Sequence, residues 1–323
     1  MRDRAWGLVG GLLLDLAVGD PRRGHPVAAF GAAATRLERV LYRDDRLRGL
    51  AFTSLLVGAP ALLAGWLDVR AGRSRPLLVA AVTWAAVGGR SLGREARAVG
   101  DAVAVGDLAV ARRRVPALVG RDPTDLDGPE LCRAAVESVA ENTADAVVAS
   151  LWWGAAGGAA GVVAHRCANT LDAMVGHRSV RYRRFGEASA RLDDVLAWVP
   201  ARLTAALSVL LAPVVGGSVR RAAAVARRDG QHSPSPNAGW SEAAFAGALG
   251  VRLGGVNRYG TGTGARLEER GPLGEGPPPT PADVARAVRL SQAVTATTAL
   301  LATVPALARG RGRRPGHPGW ATR

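Results

Sequence analysis

Asp125–Trp153 reads DLDGPELCRAAVESVAENTADAVVASLWW, and this stretch decides the fold class. Asp127 stands three residues before Glu130, with Pro129 between them, which is the signature of a capped helix start. In the helix that follows, Glu137, Glu141 and Asp145 recur every fourth residue and project from one face. Like charges at that spacing repel by a few tenths of a kcal/mol each. The row is therefore either a solvated acidic face or a site for Mg²⁺ or an ammonium group, since hard cations take carboxylate oxygens. It runs directly into Ala146–Ala164, which carries no charge, so Asp145 falls at the mouth of an apolar run. Ionisable groups in that position are costly and mark functional sites.

Working outward, the same kind of run recurs. A membrane-spanning helix needs about 20 apolar residues. Candidate spans are 6–18, 50–67, 76–89, 146–164, 195–217 and 290–308, of which one is short enough to be re-entrant. Trp6–Val18 follows Arg2 and Arg4 like a signal peptide, but no clean small-residue cleavage site follows, and it is read as retained. The expected fold is all-α: a polytopic integral membrane protein with about five transmembrane helices and helical, loop-rich polar segments. One multi-span domain over 1–308 is followed by a basic tail, 309–323, with five Arg and no acid. That tail favours a cytoplasmic C-terminus. GEGPPPTPAD (274–283) reads as a flexible link, and YGTGTGA (259–265) as a Gly-rich loop that follows no recognisable strand.

Composition removes several function classes. All 42 basic residues among the 323 are Arg, against 27 acidic ones. Without Lys there is no Walker A loop and no pyridoxal-phosphate Schiff base. Cys132 and Cys167 are the only cysteines, too few for a zinc framework, and nothing points to haem. The charge of +15 sits in loops without interleaved aromatics, which argues against nucleic acid as a partner. Intramembrane carboxylates also mark ion pathways, so a multi-span transporter or permease is the alternative. That class predicts paired repeats, and none is visible.

A second constellation lies at His165–Leu203. Asn169 and Asp172 share a helical face, an Arg-dense turn carries Arg178, Arg181, Arg183 and Arg184, and Asp193 and Asp194 precede the next apolar run. Arg forks suit phosphate or carboxylate, although a basic cluster beside a bilayer is equally a lipid or topology signal.

In order, the chain carries GDPRRGHPV (19–27), VGRD (119–122), ESVAENTAD (137–145), NTLDAMVGHR (169–178), RYRRFG (181–186), ARLDDVLAWVPARL (190–203) and SPNAGWSEAAFAGALG (235–250). This series resembles the adenosylcobinamide-phosphate synthases of cobalamin biosynthesis, from about Gly10 to Tyr259. Ser233 and Glu187 depart from the family pattern. The resemblance implies a polytopic enzyme that joins adenosylcobyric acid to (R)-1-amino-2-propanol or its O-phosphate through an amide bond. It implies ATP and Mg²⁺ as cofactors, a lipid bilayer around the chain, and other corrinoid-pathway membrane enzymes as partners. On that reading Glu137, Glu141, Asp145 and Asp172 are the candidate catalytic residues, with Glu141 and Asp145 holding Mg²⁺. Arg121, Asn142, Asn169, Arg178, Arg181, Arg184, Asp193, Asp194 and Asn237 are the candidates for substrate and phosphate binding.

Overall fold

The computed structural model describes residues 2–21, 24–177, 179–260 and 266–308, and they are mostly helical. The chain runs through α1 (Arg2–Val18), α2 (Pro26–Leu41), α3 (Arg46–Arg70), α4 (Arg75–Val87), α5 (Gly89–Ala104), α6 (Leu108–Arg114) and α7 (Gly128–Asn142). A π-helical turn (Thr143–Val148) leads into α8 (Ala149–Val175), then α9 (Glu187–Leu210), α10 (Val219–Asp229) and α11 (Ala238–Leu249). An antiparallel ribbon of β1 (Leu253–Tyr259) and β2 (Arg266–Leu273) precedes α12 (Pro281–Ala308).

Among the described residues, two helical stretches are long and apolar enough to cross a membrane, Arg46–Arg70 and Gly128–Val175. The second is not a straight rod. Gly158 has φ 65° and ψ −146°, backbone open essentially to glycine alone. Beyond it the chain turns back. A Cβ placed on Gly161 would lie 2.2 Å from the carbonyl oxygen of Trp153, and one on Gly154 would lie 3.0 Å from Val162 Cγ2. Asp145 and Asp172, which a straight helix would hold roughly 40 Å apart, interact electrostatically. The run 146–164 is thus no single crossing but the tip of a helical hairpin, with arms 143–157 and 159–175. Sequence composition reads this tip as one apolar span because Gly157 and Gly158 count as apolar.

Charged groups from other elements secure the tip. Arg4 Nη1 donates to the Ala156 carbonyl at the end of the first arm, and its Nη2 lies 3.7 Å from Asp68 Oδ2. Asp68 also takes Arg75 Nε at 3.3 Å. The guanidinium meets a helix C-terminus and the carboxylate lies beside the next N-terminus, each where the helix dipole favours it. Gly158→Ala is therefore expected to destabilise the fold. The conformation costs a non-glycine residue about 1–3 kcal/mol, and the new methyl would sit 2.8 Å from Arg4 Nε and 2.9 Å from Asp68 Oδ2. A lowered Tm in detergent checks this; a parental Tm would contradict it.

Apolar packing falls into distinct clusters. Leu8, Leu12, Ala64, Val79, Leu151 and Ala159 join α1, α3, α4 and the hairpin, with Ala299 and Ala302 of α12 against them. Gly7 and Gly11, one turn apart, let α1 press onto Val79 and Thr83 of α4. A broader cluster joins Val99, Leu131, Val136, Phe245, Leu253 and Val288, from α5, α7, α11, the ribbon and the start of α12. Leu207 and Val215 belong to it, so the far end of the run 195–217 packs on this body.

Three sequence expectations need correction. The segment 218–289 is not only helical and loop-rich, because it contains the ribbon, and the Gly-rich run at Tyr259 does follow a strand. The inward residues of β1 include Leu253 and Asn257, opposite a β2 that carries Glu268 and Arg270, so the apolar alternation that betrays a strand is missing. The link 274–283 is tied rather than free. Arg252 N donates to Pro277 O at 3.0 Å, and Asp283 Oδ2 accepts from Thr280 N at 3.0 Å, closing the start of α12.

Candidate active site at the hairpin

The capped start of α7 forms as its sequence predicts. Asp127 Oδ1 accepts from Glu130 N at 2.9 Å, and Glu130 Oε2 accepts from Asp127 N at 3.1 Å. The acidic row then divides in two. Glu137, 1% exposed, is fully engaged by Arg121, by Arg133 at 3.3 Å and by the Gly254 amide at 2.8 Å. Arg121 Nη1 continues to Asn257 Oδ1 at 2.8 Å, and Arg133 Nη1 reaches the Gly254 carbonyl at 2.7 Å. Glu137 and Arg121, expected in chemistry and in phosphate binding, instead neutralise each other and fasten the ribbon to α7. The Glu137 oxygens are spent on that task, while Arg121 Nε has no hydrogen-bond partner among the described residues.

Glu141 lies between this knot and a second group, with Arg270 and Glu137 on one side. Arg270 pairs with the buried Glu242 of α11 at 3.1 Å. Glu242 first, then Glu141 and Glu137 against the cost of burial, hold the Arg270 guanidinium above its ordinary range.

The second group is a cluster of charged side chains around the π turn. The π turn carries Asp145 into electrostatic reach of Asp193, Glu141, Arg166 and Asp172. One extra residue in a helical turn swings its side chain off the regular face, and such turns recur at functional sites. The hairpin brings the second arm alongside, so Arg166, Asn169 and Asp172 face the acids of the first. From α9, Asp193 accepts a hydrogen bond from Asn169 and lies beside Asp172, Asp194 and Glu141. Asp193 is 8% exposed, and its Oδ1 has no hydrogen-bond partner among the described residues. Arg166 Nη1 donates to Asn169 Oδ1 at 3.2 Å, and Asp20 of the GDP loop is also within reach of Arg166. His165 is wholly buried, with both ring nitrogens unpartnered among the described residues.

Asn237 holds this assembly rather than facing it. Its Nδ2 donates to the Asp194 carbonyl at 2.8 Å, and its Oδ1 accepts from Arg202, tying α11 to α9. Asn142 donates back to the Ser138 carbonyl at 2.9 Å within α7. Arg181 lies elsewhere, paired with Glu38 at 2.9 Å and stacked 4.2 Å from the Tyr42 ring centroid. Arg184 borders a surface recess with Asp45 and Arg46. Arg178 is outside the described residues. The forks of Arg181 and Arg184 are thus not shown converging on one phosphate. Arg181→Lys is expected to leave the KM for ATP and for the amine at parental values; a rise in either would return Arg181 to the site.

Asp20 and Glu242 stand in the GDPRRGHPV and SPNAGWSEAAFAGALG motifs without an assigned role, and Arg166 and Arg270 carry no separate signal in the sequence. Arg166 stands three residues before Asn169, the spacing that places both on one helical face.

Mg²⁺ would be compatible with this donor set, since Asp145 and Asp193 lie within electrostatic range of each other and a buried oxygen of Asp193 has no partner among the described residues. Among the described residues, no three His, Cys, Asp or Glu side chains are grouped to hold a metal alone. That suits an ion which keeps its waters and binds through one or two carboxylates plus substrate phosphates.

Comparison with known proteins places this architecture in a class. A model of the CobD/Cbib protein family matches residues 8–291, and the chain belongs to that family. It is 54% identical to a cobalamin biosynthesis protein CobD of Mycobacterium tuberculosis (strain ATCC 25618 / H37Rv), over 93% of this chain and 95% of that protein. It is 46% identical to the protein of that name from Pelobacter propionicus, over 77% and 80%, and 42% identical to that of Rhodobacter capsulatus, over 86% and 89%. No solved structure matches.

Proposed function

We propose that the chain is an adenosylcobinamide-phosphate synthase of cobalamin biosynthesis, joining adenosylcobyric acid to aminopropanol or its O-phosphate. The observation that carries this is the 54% identity to a cobalamin biosynthesis protein over nearly the whole of both chains. The charged cluster supports it chemically. A carboxylate cannot acylate an amine directly, because its leaving group is too poor, so ATP converts it to an acyl phosphate or adenylate, and the amine attacks the carbonyl carbon as the acyl C–O bond breaks and phosphate or AMP departs. Asp145, with Glu141 or Asp193, would hold Mg²⁺, which when bound neutralises phosphate charge. Asp172 and Asp194 hold the ammonium end of the amine beside the activated carbon; one carboxylate takes the proton that frees the nitrogen lone pair for attack, and the other takes the second proton as the amide forms. Asn169 fixes the orientation of Asp193. The test is mass analysis of the corrinoid product made by the purified protein. Expected is a product heavier by the amine less water, formed only with ATP; the same product without ATP, or none with it, would contradict the reading.

The setting we infer is the bilayer. Side chains that a water-soluble body would bury are exposed on successive helices: Leu13 and Leu16 of α1, Leu62 (76%) and Trp66 of α3, Leu77 of α4, Leu300 and Leu301 of α12. Such breadth of exposed apolar surface supports lipid contact. The protein is expected to stay in the membrane pellet through high-salt and carbonate washes. Release by salt alone would contradict a multi-pass chain.

A further inference from the structure

We propose that Arg166 binds an anionic oxygen of the reacting group, on the nucleotide phosphates or on the carboxylate to be activated. The inference rests on the amide-forming reading above. Four guanidiniums lie among the interior carboxylates, and three are paired. Arg121 and Arg133 grip Glu137, and Arg270 takes Glu242 at 3.1 Å. Arg166 differs. Its one hydrogen bond is to Asn169 Oδ1 at 3.2 Å, and no carboxylate of the described residues lies within 4.0 Å ion-pair distance. Its Nε, like those of Arg121 and Arg270, is sealed from solvent and has no hydrogen-bond partner among those residues, so the missing carboxylate contact is what sets it apart.

A guanidinium carries five donors in a rigid plane, and removing it from water is costly unless they are met. An arginine retained only to balance charge would close onto a carboxylate, as the other three do. Asp20, Asp145 and Asp193, from three separate elements, instead surround Arg166 at electrostatic range without touching it. Asn169 anchors one edge of the fork and is itself bonded to Asp193. The free edge is therefore set at a fixed angle to the acids that attract a cation. A planar fork on one side and a cation on the other is an arrangement that clamps a phosphoryl or carboxylate oxygen.

Arg166→Lys keeps the charge and loses the fork. The test uses the full-length protein in detergent, with Mg·ATP binding measured by equilibrium dialysis and substrate KM values measured in the amide assay. Arg166→Lys is expected to retain a parental Tm and to weaken one anion by about ten- to a hundredfold, leaving the other unchanged. A raised Kd for Mg·ATP assigns the fork to the phosphates. A rise confined to the KM of adenosylcobyric acid assigns it to the carboxylate. Parental values for both would overturn the proposal, as would equal losses for both together with a lowered Tm, which mark a purely structural charge. Dialysis needs no turnover, so failure of the parent protein to form the amide would sink the functional reading and leave this result to be judged separately.

Discussion

Asp145→Asn is expected to cut amide formation by roughly a hundred- to a thousandfold while the protein remains abundant and folded. The change keeps the shape of the side chain and removes its charge. Asp145 lies among Asp193, Glu141 and Asp172, with Arg166 as the nearby cation. Neutralising one of four mutually repelling carboxylates relieves strain, so Tm should hold or rise as activity falls. That opposite movement separates a working site from a supporting one, since sites are assembled at some cost to stability. Near-parental turnover with Asn would show that the cluster is not where the chemistry occurs.

Glu137→Gln is expected to do the reverse. Glu137 faces Arg121 and Arg133 and accepts the Gly254 amide, all away from solvent. Removing one member of a buried ionic group strands its partners, at a cost of about 3–5 kcal/mol. Tm and abundance in the membrane should fall sharply, and the ribbon should become protease-sensitive, because Glu137 is its main tie to α7. The molecules that remain folded should turn over near the parental rate. A stable Glu137→Gln protein without activity would restore Glu137 to the chemistry.

The two variants mark what local sequence can and cannot disclose. Asp127, Pro129 and Glu130 announce the start of α7, and the apolar runs announce helices, because both signals lie within one or two turns. That Asn169, Asp172 and Asp193 belong to one charged cluster is in part legible too, from helical spacing and from motifs in series. The division of the acidic row was not. Glu137 and Asp145 look equivalent at four-residue spacing, yet Arg121 and Gly254, which claim Glu137, come from distant parts of the chain. The hairpin was hidden for a related reason. Apolar character is read from side chains, whereas the reversal at Gly158 is a backbone event. Once it is in place, two motifs that look like opposite ends of a span become facing sides of one cluster.

On the reading proposed above, this hairpin gathers Asp145 and Asp193 into one cation site. Mn²⁺, which takes the same oxygen donors as Mg²⁺, offers the most direct measurement, as an electron paramagnetic resonance titration of the purified full-length protein. The parent should bind Mn²⁺ in competition with Mg²⁺, Asp145→Asn and Asp193→Asn should each lose that binding, and Arg181→Lys should retain it. Equal Mn²⁺ binding by the parent and by both Asn variants, or no binding by the parent with ATP present, would contradict the claim.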